Sequence, residues 1–264
     1  MPGMLHSLWR YRHFVSSSVR NDLVARFARS RLGGLWMIIN PLAQVAIYAL
    51  ILSNILSARL PGIDNKYAYA IYLMAGLLAW TLFTEIINRC VNLFIEHGNL
   101  MKKMNFPRIT LPAIVLGSNL VNNGLLLAAM LGIFLILGHH FSPTMLWLLP
   151  LTVILAGFSL GIGLVLGIMN VFLRDIGQVI PIILQVCFWF TPIVYPANII
   201  PETYRYWLNL NPLYHFTSAY QNILVYDRFP RWEGLVVIGA LALLLLLFSL
   251  FLFRRANEEM MDAL

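Results

Sequence analysis

The sequence contains few charged residues for its length. Asp, Glu, Lys and Arg make up 11% of its 264 residues, whereas a typical soluble domain has roughly 25%. Hydrophobic types make up 60%, more apolar surface than one soluble core of this size could remove from water. A bilayer removes that constraint, because lipid is the solvent for the outer face. The composition therefore excludes an ordinary soluble enzyme and predicts an integral membrane protein.

Lysine is particularly scarce, and its positions exclude one kind of ATP site. A phosphate-binding P-loop needs Gly-Lys followed by Ser or Thr, so that backbone amides and the lysine hold the phosphates. None of the three lysines, Lys66, Lys102 and Lys103, follows a glycine. We therefore expect a chain that is not an enzyme and that depends on another subunit for its energy.

Other reactive groups are too sparse to form a site. The two cysteines, Cys90 and Cys187, belong to no pair motif, so no disulfide framework is expected. His139 and His140 are adjacent without a nearby carboxylate, so neither a metal site nor any other cofactor is expected in this chain.

One pair of opposite charges stands out in an apolar segment. Only Glu85 lies clearly inside such a segment, which disfavours a proton relay. Arg89 follows at the i+4 position, where the two side chains can meet on one helical face. The pair is either a gating ion pair or a satisfied pair at a helix end.

Six apolar stretches are long enough to cross a bilayer, since a span needs about 20 residues. They cover residues 35–55, 69–87, 111–137, 145–173, 176–194 and 235–253, with Pro181 and Pro192 interrupting the fifth. We expect an all-α integral membrane protein with six transmembrane helices. The whole chain, 1–264, would form one domain, with an interface helix in 1–32, the bundle in 33–254 and a tail in 255–264.

The segments that flank the spans carry their own signals. Val15, Val19, Leu23 and Phe27 recur every four residues, which predicts an amphipathic helix in the membrane interface, or alternatively a short helix that only anchors the topology. The aromatic-rich segment 195–232 has helix-start signals at Pro201 and at Asn211-Pro212. It predicts two short external re-entrant helices between spans five and six, or alternatively an amphipathic loop on the surface.

The basic residues indicate the orientation. Of the 18, 13 fall in the N-terminal segment, the loops after spans two and four, and the C-terminal tail. Six spans place both termini on one side, and this excess of positive charge predicts that the side is the cytoplasm.

Two spans contain residues that favour contacts between helices. Span three carries polar groups that must face protein or a wet pathway, namely Ser118, Asn119, Asn122 and Asn123. Span four carries small residues at spacings that let helix backbones approach closely, namely Gly157, Gly161, Gly163 and Gly167.

Aromatic side chains are abundant near the spans and could line a channel. Flat rings can stack on the C–H faces of a sugar chain without demanding exact hydrogen bonds. The alternative is an ordinary interface belt of aromatic residues. The candidate channel-lining residues are Trp80, Phe83, Phe188, Trp189 and Tyr195.

Several local patterns together resemble one family. They are NDLVARFARSRLGGLWMIINPL (21–42), MKKMNFPRITLP (101–112), LRDIGQ (173–178), FTPIVYPANIIP (190–201) and LNLNPL (208–213). The sequence resembles the membrane subunit of bacterial ABC-2 type polysaccharide exporters, which carry O-antigen, capsular polysaccharide or teichoic acid. Each pattern is weak alone, but their order and spacing cover nearly the whole chain.

The resemblance implies a homodimer in the bacterial cytoplasmic (inner) membrane, working with two copies of a separate ATPase subunit that binds ATP and Mg. It also implies a short coupling helix in the first cytoplasmic loop, where Pro107 would end it. The cargo would be a lipid-linked polysaccharide carried on undecaprenyl diphosphate, and no nucleic acid is involved. The residues expected to couple to the ATPase are Glu96, Leu100, Lys102, Lys103, Phe106, Arg174 and Asp175.

Three arginines lie where the lipid diphosphate would approach from the cytoplasm. Arg26, Arg29 and Arg31 could bind it through bidentate hydrogen bonds, or could be ordinary cytoplasmic positive charge. Two other functions stay open at this point. The chain could be an ABC-2 permease for a small molecule or ion, or a stand-alone channel or secondary transporter.

Overall fold

The computed structural model describes residues 6–7, 9–27, 32–36, 39, 43, 68–103, 106–136, 142–230, 232–256 and 259–263. Across these ranges the chain forms helices and turns without any strand, which confirms the all-α prediction. Of the predicted first span, 35–55, only residues 35, 36, 39 and 43 are described. That span therefore stays a prediction.

The described part of the chain contains ten α-helices. They are α1 (Arg12–Phe27), α2 (Ala68–Glu96), α3 (Gly98–Lys103), α4 (Thr110–Ile136), α5 (Leu148–Phe172), α6 (Ile176–Phe190), α7 (Glu202–Leu210), α8 (Pro212–Leu224), α9 (Trp232–Ala256) and α10 (Glu259–Ala263). Three short 3-10 turns accompany them, at Gly33–Leu35, Pro143–Trp147 and Ala197–Ile199.

Four described segments are long and apolar enough to cross a membrane, namely Ala68–Glu96, Thr110–Leu135, Pro143–Phe172 and Glu233–Ala256. They confirm the predicted second, third, fourth and sixth spans. The predicted fifth span is shorter than expected, because α6 has 15 residues and ends at Phe190. Thr191 is extended, as is usual for a residue before proline, so the helix stops ahead of Pro192. At a rise of about 1.5 Å per residue, α6 covers about 22 Å.

Helix α2 is the centre of the bundle. Twenty of its residues are buried, and it packs most extensively against α5 and also against α4, α6 and α8. The contact with α5 depends on glycine: a Cβ at Gly163 would lie 2.7 Å from the Cβ of Cys90, and one at Gly167 would overlap the Cys90 carbonyl. Gly161 faces α9 instead, where a Cβ would lie 3.0 Å from the Leu245 backbone. The predicted close packing is confirmed for Gly161, Gly163 and Gly167, and it is wrong for Gly157, where a Cβ would meet nothing within 4 Å.

Helix α1 confirms the predicted N-terminal helix, and its position in the membrane interface stays a prediction. It packs along α4, with Val19 against Gly117. Val15, Val19 and Leu23 are half-buried, which is the stripe that the four-residue spacing predicts. In the 3-10 turn Gly33–Leu35, Gly33 adopts a φ of 48°, a left-handed conformation that glycine allows without a steric cost.

The two ends of the bundle can be told apart from their contacts. Phe94 near the end of α2 stacks on Phe253 near the end of α9, with ring centroids 5.5 Å apart, and α10 packs against α3 and α5. We call this the α3 end. At the opposite end, the α7 end, the Thr144 hydroxyl donates to the Asp227 carboxylate at 2.6 Å, and Tyr72 donates to the Pro192 carbonyl at 3.3 Å.

Both predicted helix starts in the α7-end segment are confirmed. Helix α7 follows directly after Pro201, and α8 begins at Pro212 with Asn211 as its N-cap. The Asn211 side chain accepts a hydrogen bond from the Leu213 amide at 3.0 Å, which satisfies one of the unpaired donors at the helix start. Re-entry of α7 and α8 into the membrane stays a prediction.

The glycine contact between α5 and α2 leads to a testable prediction. Gly167→Ala should lower the free energy of unfolding by about 1–3 kcal/mol, because the added methyl must displace the Cys90 carbonyl. Gly157→Ala is the matched control on the same helix, since a Cβ there meets nothing within 4 Å. Thermal unfolding in detergent should show a lower midpoint for the first variant only. Equal midpoints for the two variants would contradict the proposed role of the close contact.

Candidate functional site

A groove lies between α2 and α6 and is open along one side. It encloses about 450 Å³. Its lining consists of Leu77, Trp80, Thr81 and Thr84 from α2, and Pro181, Leu184, Gln185, Phe188 and Trp189 from α6. On both helices these positions recur at three- and four-residue intervals, which places them on one face. The groove therefore brings together three of the five predicted channel residues.

Aromatic rings form one part of the groove. Trp80 and Phe188 meet edge to face with centroids 5.5 Å apart, and Phe188 meets Trp189 at the same distance and a steeper angle. Such pairs favour defined ring orientations. Trp189 is 56% exposed whereas Trp80 is 8% exposed, so Trp189 offers most of the accessible aromatic surface.

Polar groups form the other part. Thr84 donates its hydroxyl to the Trp80 carbonyl at 3.0 Å, and Thr81 donates to the Leu78 carbonyl at 3.2 Å. Because both hydroxyl protons are used within the helix, the oxygens face a ligand mainly as acceptors. Gln185 is exposed and offers both a donor and an acceptor. The groove can therefore bind an uncharged, hydroxyl-bearing ring against an aromatic surface.

Two predicted channel residues lie outside this lining. Phe83 is 5% exposed and stacks on Phe158 with centroids 6.2 Å apart, so it supports the groove from the core. Tyr195 donates its hydroxyl to the Trp189 carbonyl at 2.7 Å and holds the end of α6. Burial raises the pKa of Tyr195.

Sequence reasoning missed the polar members of the groove. Thr81 and Thr84 are one and four residues from Trp80, and Gln185 is three residues from Phe188. The helical spacing was a usable signal for Thr84 and Gln185, because residues three or four apart from an aromatic candidate share its face. It did not indicate Thr81, which is adjacent to Trp80.

A polar network joins α1, α2 and α4, and it corrects the predicted pairing of Glu85 with Arg89. The guanidinium of Arg89 pairs with Asp22 on α1 at 2.7 Å and also donates to the Ser118 hydroxyl on α4. Glu85 accepts a hydrogen bond from the Asn122 amide at 2.9 Å. Helical spacing allowed the predicted pair, but Asp22 supplies Arg89 with a carboxylate from another helix. We call these five side chains the Arg89 network.

The Arg89 network is neither fully buried nor free in solvent. The side chains of Arg89 and Asp22 are 27% and 25% exposed. A partly buried pair is screened less than a surface pair, so its Coulomb attraction is stronger. Removing Asp22 would take away the carboxylate that pairs with Arg89 and leave a partly buried positive charge without it.

The residues predicted to couple to an ATPase gather at the α3 end. Lys102 and Lys103 are exposed at the end of α3, while Met101 beside them is buried and anchors the helix. Phe106 packs near Phe14 of α1, with ring centroids 6.1 Å apart. Glu96 is exposed at the end of α2, and Leu100 is half-buried on α3. This loop therefore contacts the N-terminal helix directly.

Arg174 and Asp175 form an exposed turn between α5 and α6 at the same end. Asn170 fixes this turn, since its amide donates to the Val91 carbonyl at 2.9 Å and its oxygen accepts from the Gly177 amide at 2.8 Å. The turn is thereby attached to α2. Sequence reasoning did not identify Asn170, whose partner on α2 lies 79 residues away in the chain.

Only one of the three arginines of the expected lipid-diphosphate site lies within the described residues. Arg26 lies on α1, but Arg29 and Arg31 lie outside the described residues, so the site stays a prediction. Among the described residues, no group of three or more His, Cys, Asp or Glu is placed to hold a metal ion. His139 and His140 are not among them.

The sequence is similar to three transport proteins over most of their length. It is 28% identical to the O-antigen export system permease protein RfbA of Myxococcus xanthus, with both chains fully covered. It is 24% identical to the O-antigen export system permease protein RfbA of Klebsiella pneumoniae, with 92% of each chain covered. It is 27% identical to the polysialic acid transport protein KpsM of Escherichia coli, covering 92% of this chain and 93% of the relative.

A family model agrees with these similarities. The model of the ABC-2 type transporter matches residues 14–225, which include most of α1, the groove, α3 and the turn between α5 and α6, and which end before α9. The match covers well over half of the chain, and the four long apolar helices fit a protein that crosses the membrane several times. The chain is a multi-pass membrane protein that belongs to the ABC-2 type transporter family.

Proposed function

We propose that this chain is the membrane-spanning subunit of an ATP-driven exporter that moves lipid-linked polysaccharide across the bacterial cytoplasmic membrane. Relatives named for O-antigen export and polysialic acid transport support this assignment. The groove between α2 and α6 is the observation that carries it. Both termini lie in the cytoplasm, in agreement with the distribution of basic residues.

The groove suits a sugar chain better than an ion or an apolar drug. Trp189 presents an exposed aromatic surface, and Gln185 and the two threonines add uncharged hydrogen-bonding groups. None of the lining residues is charged, so an ion would lose its hydration shell without compensation. A sugar ring can stack on aromatic residues through its C–H face and exchange hydrogen bonds at its edge.

Two copies of the chain enclose the pathway. The groove is open on one side, and α6 beside it exposes the apolar side chains of Val179, Ile182, Ile183 and Val186. A second copy placed against the open side would close the groove, whereas this apolar face of α6 points away from the groove lining and can contact lipid.

Energy comes from two copies of a separate ATPase subunit, which binds ATP and Mg, while this chain binds no cofactor. The ATPase contacts the α3 end, where Lys102, Lys103, Glu96, Arg174 and Asp175 are exposed. These side chains can form ion pairs across an interface without being buried alone. The absence of a Gly-Lys-Ser/Thr sequence agrees with this division of labour.

Movement of the α3 end reaches the spans through two contacts. Phe106 in the loop after α3 packs near Phe14, so a displaced loop moves α1. Asp22 on α1 holds Arg89, which links this motion to α2 and α4. Trp80, Thr81 and Thr84 lie on α2 within three turns of Arg89, so the same helix forms one wall of the groove.

The lipid diphosphate binds first, at the cytoplasmic interface. Arg26, Arg29 and Arg31 are the proposed contacts, because arginine can hold phosphate oxygens through two parallel hydrogen bonds. The sugar chain then follows the lipid into the pathway.

The direct test is transport by the purified complex. The chain is purified from its host, the accompanying proteins are identified, and the complex is reconstituted in vesicles loaded with glycolipid. We expect an ATPase subunit to co-purify and polysaccharide to cross only when ATP is supplied. Transport by the chain alone, or transport that survives ATP depletion, would overturn the proposal.

The groove leads to a prediction about export. Trp189→Ala should reduce polysaccharide export about 2- to 10-fold, because it removes the most exposed ring of the groove. Phe190→Ala is the matched control, since Phe190 is the adjacent exposed aromatic residue and is not part of the groove lining. Surface polysaccharide is quantified at equal protein levels. Equal effects of both variants would assign these rings to lipid contact instead.

The Arg89 network leads to a prediction about coupling. Asp22→Asn should lower the amount of polysaccharide exported per ATP hydrolysed, because Arg89 loses its anionic partner and α1 its hold on α2. Asn21→Ala, an exposed neighbour, is the control. Export and hydrolysis are measured together in vesicles. Charge reversal by Asp22→Arg with Arg89→Asp should restore part of the ratio, and an unchanged ratio in Asp22→Asn would contradict the coupling role.

A further inference from the structure

A second cavity of about 450 Å³ lies at the α7 end, between α8 and the start of α9. It shares no lining residue with the groove between α2 and α6. Its polar lining includes two amides, a hydroxyl, a guanidinium and a carboxylate, with one phenyl ring beside them. These are Asn209, Asn222, Ser218, Arg228, Glu233 and Phe229. We call this cavity the outer cleft.

The outer cleft lies at the opposite end of the bundle from the surface proposed to meet the ATPase. Glu233, at the start of α9, belongs to the cleft, whereas Phe253 near the end of α9 stacks on Phe94 at the α3 end. Twenty residues separate them, which is about 30 Å of helix, or the thickness of the apolar part of a bilayer. The cleft therefore faces the compartment to which cargo is delivered.

Local contacts hold the outer cleft in shape. His215 hydrogen-bonds through its Nε2 to the Asn209 carbonyl at 2.8 Å, and Gly234 approaches the His215 ring so closely that a Cβ there would overlap it. The Arg228 amide donates to the Asn222 carbonyl at 3.0 Å. Asp227, with a φ of 48°, turns the chain between them and accepts the hydrogen bond from Thr144. A site fixed in this way needs little reordering to bind a ligand.

The charges of the lining favour a neutral ligand. The cleft has one positive group, Arg228, and one negative group, Glu233, and no described residue forms an ion pair with either. Phosphate would meet the Glu233 carboxylate, and a divalent cation would find only one carboxylate and the Arg228 charge. Amides, a carboxylate and a guanidinium instead match vicinal hydroxyls, which donate and accept at once. Phe229 is 63% exposed and can cover an apolar C–H face.

We propose that the outer cleft binds a neutral sugar unit of the polysaccharide after it leaves the groove. This inference rests on the proposed export function and adds to it a second, separate sugar contact on the delivery side. Hydroxyl groups of the sugar donate to Glu233 and accept from Arg228 and Asn222, and the ring packs on Phe229. A sugar unit bound there is less free to slide back into the pathway between successive rounds of ATP hydrolysis.

Photo-crosslinking in exporting cells tests the proposal. The photoreactive residue p-benzoylphenylalanine is placed at Phe229 in the cleft, at Trp189 in the groove and at Tyr204 on α7. Tyr204 is a matched control, because it is an exposed aromatic residue at the same end and is not part of the cleft lining. We expect polysaccharide adducts at 229 and 189 and at most a background level at 204.

The outcomes separate this inference from the function on which it rests. Adducts at 189 without adducts at 229 would overturn the outer cleft and leave the export function intact. Equal adducts at 229 and 204 would also overturn it, since the polymer would then pass without a specific contact. The absence of adducts at both 189 and 229, in cells that still export, would overturn the inference and the groove pathway together.

Binding to the purified complex supplies a second test. The probe is the delipidated surface polysaccharide of the host strain, titrated by calorimetry into the complex in nanodiscs. Glu233→Gln should weaken binding about 5- to 10-fold, because a charge-assisted hydrogen bond becomes a neutral one. Glu202→Gln is the control, since Glu202 is also an exposed carboxylate in the first turn of a helix at the α7 end but lies outside the cleft. Equal affinities for the two variants, or no binding by the wild-type complex, would overturn the proposal.

Discussion

The close approach of α5 to α2 is the contact on which the rest of the structure depends. At Gly163 and Gly167 the two helices come so near that Cys90 fills the space where a side chain would stand. Small residues at such crossings let helices gain van der Waals contact that lipid alone does not provide. This contact fixes α2 in the middle of the bundle, where its other faces contact α4, α6 and α8. Arg89 links it to α1 through Asp22.

Helix α2 therefore connects three regions that would otherwise be separate. Its 29 residues span about 43 Å, and the functional groups follow one another along that length. Trp80, Thr81 and Thr84 line the groove, Glu85 and Arg89 belong to the Arg89 network, and Glu96 ends the helix at the α3 end. In the proposed coupling, a displacement at Glu96 is carried along this helix to the groove. The order of these groups gives the proposed coupling its physical basis.

The elements that could be predicted are those that depend on local pattern. Apolar length predicted the four described spans, and Asn211 followed by Pro212 predicted the start of α8. Both signals act within one helix. The length of α6 was overestimated, since apolar composition continues past Phe190 while the extended backbone before Pro192 does not. The partner of Arg89 was missed because the contact joins residues that are distant in sequence. Glu85 is close in sequence, but Asp22 lies 67 residues away and reaches Arg89 only once α1 packs on α4.

In the proposed export function, the two cavities together narrow the class of cargo more than either cavity does alone. Each has about the volume of a small ligand, and they are lined by different helices, α2 and α6 for the groove and α8 with the start of α9 for the outer cleft. One molecule that contacts both at once must be longer than either cavity. A free ion or drug could fill only one of them, whereas a chain of repeating sugar units presents the same chemistry to both. The same features also recur in the linings: an exposed ring with amide groups, Trp189 with Gln185 in the groove and Phe229 with Asn222 in the cleft. A repeating polymer is the class of substrate for which such a repetition is useful.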